Sequence, residues 1–82
     1  MNLYLVTPNY NLGYDCYAAV IVAATSLKEA RELHPSGNQK DWDNPPNYRT
    51  WVDTPDQVTA SFIAVATKES IARVILADFN AA

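Results

Sequence analysis

Apolar positions along this chain fall into short runs of strand period broken by a single stripe of helical period. Cys16 to Ala24, CYAAVIVAA, is unbroken, with Val20, Ile21 and Val22 at its centre. Stiff β-branched side chains suit a pleated surface better than a helix, so the run predicts the central strand. Ahead of it, Asn2 to Thr7 alternates Leu3 and Leu5 on one face with Tyr4 and Val6 on the other, until Pro8 removes a ladder donor. Asn9 to Asp15, NYNLGYD, is turn chemistry. The two strands are therefore expected to form an antiparallel hairpin with a long, Tyr-rich loop.

The period changes after Ala24. Ser26 precedes Glu29 by three, a spacing at which the hydroxyl accepts from one orphan helix N–H while the carboxylate reaches back to another. Leu27, Ala30 and Leu33 or His34 then recur at helical spacing, opposite Lys28, Glu29, Arg31 and Glu32, so one face packs on the sheet. Pro35 disfavours an α conformation in the residue before it, which stops the helix around His34. At that terminus His34 is expected to meet the negative end of the helix dipole.

From Pro35 to Pro55 there is no sustained period, and four prolines accompany Trp42, Tyr48 and Trp51. A connection this long is usually functional or disordered, and the tryptophans argue against disorder. Either the rings fold back as a lid over the sheet edge, or they join Asp41, Asp43 and Asp53 in an acidic, aromatic binding patch. Val58 to Ala66 then reads as a strand whose Thr59 and Ser61 end is half wet, and Ala72 to Phe79 as another. Lys68, Glu69 and Ser70 form a polar turn, and the two strands are expected to pair as a hairpin. A helix from Glu69 to Phe79, with Thr67 and Ser70 supplying a cap, competes; Val74 and Ile75 favour the strand. The order is β-β-α-β-β: one α+β domain over residues 1–82, a two-layer sandwich of a four-stranded, mainly antiparallel sheet with one amphipathic helix. The other sheet face then depends on the long loop or a partner for cover.

Composition narrows the chemistry. With 82 residues, 49% hydrophobic and 18% charged, the chain is globular and has room for one core. A net charge of -3 with six scattered Lys and Arg argues against a phosphate-tracking surface, and so against stacking of nucleic acid on the tyrosines. Cys16 is alone, which excludes an internal disulfide and suits a reducing cytoplasm. The N-terminus lacks the features of a signal peptide or a membrane span, so the chain reads as cytosolic and unprocessed.

Catalytic groups are sparse. Cys16 with His34 has the residue types of a thiol nucleophile and base, yet Cys16 opens an apolar strand and reads as buried and inert. One His and one Cys do not make a metal site, the aspartates lack calcium-loop spacing, and Gly13 and Gly37 are too few for a phosphate loop. No cofactor is expected.

The segments MNLYLVTPNYNLGYD, AREL with HPSG, WVDTPDQV and VILADFNAA together resemble a group of short proteins encoded by bacteriophages and prophages. None of these segments is chemically diagnostic, and no catalytic residue transfers. The resemblance implies a setting in which small non-enzymatic proteins bind and block a host or defence complex, as anti-CRISPR proteins do. The expectation is therefore a cytoplasmic interaction protein that meets a basic protein surface through Trp42, Asp41, Asp43, Tyr48, Trp51 and Asp53. A self-associating assembly protein, such as a homodimer, is the alternative.

Overall fold

The computed structural model describes residues 1–43, 50–65 and 72–80. Four strands, β1 (Asn2–Pro8), β2 (Cys16–Ala24), β3 (Val58–Val65) and β4 (Arg73–Asn80), form one antiparallel sheet, with helix α1 (Leu27–Glu32) between β2 and β3 in sequence. The β1–β2 hairpin forms as expected, and β2 lies inside the sheet. The hairpin of the last two strands does not form: the order is β3-β1-β2-β4, so β3 and β4 are opposite edges. Each pairs instead with an interior strand, Leu5 facing Ser61 and Ile21 facing Leu76. The Lys68 to Ser70 turn lies outside the described residues. Residues 73–80 are strand and not helix.

The hydrophobic pattern decides which strands go inside. Tyr4 and Val6 from β1 and Val20, Val22 and Ala24 from β2 are buried on the face that meets α1, where Ala30 is 0% exposed. Trp51, Val52 and Val58 complete the same core, so the segment entering β3 extends the helical layer and leaves the opposite face open. β3 reverses the expected wetting. Val58, at its first position, is buried, whereas residues 61–65 are all exposed, including Phe62 at 58% and Val65 at 63%.

Helix α1 starts where Ser26 predicts: the Ser26 hydroxyl accepts from Glu29 N at 3.1 Å. The Glu29 carboxylate reaches one residue beyond the usual box and accepts from Thr25 N at 2.7 Å and Thr25 Oγ1 at 3.0 Å. Of the expected stripe Ala30 and His34 are buried and Leu33 is half-buried, while Leu27 remains 46% exposed. The helix ends at Glu32, earlier than expected, because Leu33 turns extended at φ -82° and ψ 124°.

Candidate functional site

Residues 34–43 form a compact turn against the C-terminal end of α1. The last carbonyls of a helix lack internal partners. Here the Glu32 carbonyl accepts from Gln39 Nε2 at 2.6 Å and from the Trp42 indole Nε1 at 2.8 Å. The same Gln39 side chain accepts from His34 N at 2.7 Å, so one residue bridges both sides of the helix end. The 3-10 turn Gln39–Trp42 that carries these groups is started by Asn38, whose side chain accepts from Lys40 N.

His34, expected to meet the negative end of the helix dipole, is held by local contacts of the turn instead. It is buried, its Nδ1 accepts from Ser36 N at 3.2 Å and lies 2.9 Å from Ser36 Oγ, and its ring meets Trp42 edge to face at 5.1 Å. Burial pushes its pKa below the ordinary imidazole value, and the nearby Asp41 carboxylate offsets only part of that. The neutral ring therefore serves as an acceptor that closes the turn. The Ser36 hydroxyl also accepts from Asn38 N at 3.1 Å, so this Ser–His contact belongs to the turn.

The six residues expected to meet a partner are placed differently from one another. Asp41, Trp42 and Asp43 share the 3-10 turn; Trp42 is half-buried and pinned by its indole N–H, while Asp43 is exposed. Trp51 is 2% exposed, crosses Tyr17 edge to face at 6.4 Å, and behaves as the folded-back ring that an aromatic-rich core implies. It offers a partner no surface. Its indole N–H has no acceptor among the described residues. Asp53 is exposed at the entry to a second 3-10 turn, Pro55–Gln57, where the Gln57 side chain accepts from Asp53 N at 2.9 Å and Thr54 N at 3.2 Å. Tyr48 lies outside the described residues.

Apolar surface is presented elsewhere. Register places Leu5 beside Ile21, Ile21 beside Leu76, and Ala19 beside Asp78, and paired residues share a face, so these side chains lie opposite α1. They line a shallow depression of about 90 Å³, with Leu5 37% and Leu76 61% exposed. At the β3 edge, Phe62, Ile63 and Val65 stand 58%, 48% and 63% exposed in a strand that contains no charged residue. The sequence held a signal for this surface, since VTASFIAV lacks the Lys, Pro or inward charge that usually guards an edge.

Cys16 is buried, with Sγ 3.6 Å from the Leu12 carbonyl. Among the described residues, no three His, Cys, Asp or Glu side chains gather to hold a metal ion, and no helix is long and apolar enough to cross a membrane. Sheet and helix together define a small α+β fold. No family model, curated protein or solved structure matches the chain.

Proposed function

We propose that this chain acts by binding, as a small inhibitor that engages a basic-rimmed protein of a host or defence complex without catalysing a reaction. The observation that carries this reading is the uncovered apolar stretch at residues 62–65 of β3, continuous with an uncharged edge. Apolar surface exposed in one contiguous edge strand is what a partner strand or groove recognises. The net charge of -3, with Asp43, Asp53 and Asp78 exposed, favours a positively charged rim on that partner. Trp42, already committed to the helix end, contributes its outer edge at most. The likeness to bacteriophage and prophage proteins directs the search to host and defence complexes.

The test is affinity capture from host lysate followed by reconstitution with the purified partner, comparing wild type with an Ile63→Lys, Val65→Lys variant. Both positions are about half exposed or more, so circular dichroism should show an unchanged fold. A stoichiometric complex lost in the variant supports the reading; a complex that survives both lysines overturns the assigned surface. The same edge, unpaired among the described residues, favours a second reading, pairing of β3 with β3 of another copy. Sedimentation in which mass rises with concentration for wild type, but not for the variant, would favour that reading.

A further inference from the structure

The loop between β1 and β2 borders an open, solvent-facing cavity of about 400 Å³, lined by residues 7–13 with Tyr17 and Ala18, within the size range of small-molecule sites. Its walls are ordered by contacts that engage one end of each amide. Asn9 N donates to the Gln57 carbonyl at 2.9 Å, and Asn9 Oδ1 accepts from Thr59 Oγ1 at 2.6 Å, which ties the loop to β3. Asn11 Oδ1 accepts from Gly13 N at 2.9 Å, where Gly13 holds φ +87°. Both carboxamide oxygens are thus occupied, and both NH₂ groups keep two donors each without a partner among the described residues. Tyr10, 40% exposed, adds an aromatic face and a hydroxyl.

Charge selects the ligand. No lining residue is ionisable except through a tyrosine hydroxyl, and the sequence has no Lys or Arg before Lys28. A phosphate or carboxylate would find no counter-charge here. What fits is an uncharged molecule with an apolar face for the rings and many oxygens for the amide donors. We infer that the cavity is a binding site for a neutral saccharide, stacked on Tyr10 and held by the Asn9 and Asn11 amides.

The test is a two-dimensional ¹H–¹⁵N NMR titration of the whole chain with maltotriose, cellotriose and N,N′-diacetylchitobiose, each taken to about 10 mM, where even weak affinity registers. One of these sugars is expected to shift resonances of residues 7–18 saturably. An Asn9→Asp, Asn11→Asp variant keeps both acceptors for Thr59 and Gly13 and removes the donors, so affinity should fall about 10-fold or more with the loop intact. Tyr10→Leu should weaken it as well. The Ile63→Lys, Val65→Lys variant should bind sugar as wild type does, which separates this site from the β3 surface. No saturable shift with any of the three sugars, shifts confined to other residues, or undiminished binding by the Asp variant would overturn the assignment. So would a response to the neutral peptide Ac-Gly-Asn-Gly-NH₂ without one to the sugars.

Discussion

Replacing Trp42 separates its structural use from the binding role suggested by its sequence context. In the fold its indole N–H donates to the Glu32 carbonyl at 2.8 Å and its ring meets His34 at 5.1 Å. Trp42→Phe removes the donor, but Glu32 O retains Gln39 Nε2 at 2.6 Å, so no carbonyl is orphaned and the cost is that of one net hydrogen bond, about 1 kcal/mol. Trp42→Ala also gives up the ring. A half-buried indole withholds roughly 100 Å² of apolar surface from water, worth about 2.5 kcal/mol, and the edge-to-face contact adds about 0.5–1 kcal/mol. The alanine variant should therefore lose about 4–4.5 kcal/mol, against a total stability of about 4–12 kcal/mol for a chain of this length. Urea unfolding followed by circular dichroism measures both, and the larger loss should lower the midpoint by roughly 2–3 M at an unchanged slope near 1.5–2 kcal/mol/M. An alanine variant within about 0.5 kcal/mol of wild type would refute this account, because it would mean that the ring is free for a partner.

Three further outcomes follow from the same contacts. The fold keeps His34 neutral while the unfolded chain takes up a proton below about pH 6.5, so stability should be level above that value, fall as pH drops through it, and level off once folded His34 is also protonated; urea midpoints between about pH 8 and 5 should show the fall, and His34→Gln should flatten it. Ser26→Ala removes the hydroxyl that accepts from Glu29 N and should cost about 1 kcal/mol by the same assay, whereas an unchanged midpoint would mean that Thr25 and Glu29 hold the helix start alone. Cys16 should react with iodoacetamide only on unfolding, at a rate that rises with urea, while rapid labelling of native protein would revive a reactive thiol.

Strand identity was legible because each strand carries its period in a few residues: Tyr4 and Val6 against Leu3 and Leu5, and the β-branched centre of β2. Strand order was not. Neighbours in sequence usually pair, which favoured a β3–β4 hairpin, yet residues 66–71, ATKESI, contain no Gly, Asn or Asp to make a tight turn. That absence argued for the observed separation, as did Thr59, Ser61, Arg73 and Asp78, polar positions that suit edges. His34 was misread because its partners arise downstream: Gln39 and Trp42 cap the helix, and the ring is buried beneath them. The described parts of the aromatic loop were legible as ordered but not as divided. Nothing in the spacing of Trp42 and Trp51 shows that one seals a helix end while the other fills the core.

The placement of the strands also bears on how the chain assembles. The two interior strands are joined by a local loop and followed at once by α1, whereas β3 and β4 attach afterwards at opposite edges, each to a single neighbour. Closing the short loop first costs little chain entropy and provides two docking edges. A core substitution in the β1–β2 pair, such as Val22→Ala, should therefore slow refolding, whereas Val74→Ala on β4 should mainly hasten unfolding. Stopped-flow rates showing the reverse partition would mean that an edge strand joins the nucleus. An arrangement of this kind predicts that the permanent interior comes together early and the outer margins close last, with the charge-free margin of β3 among the final surfaces to be settled.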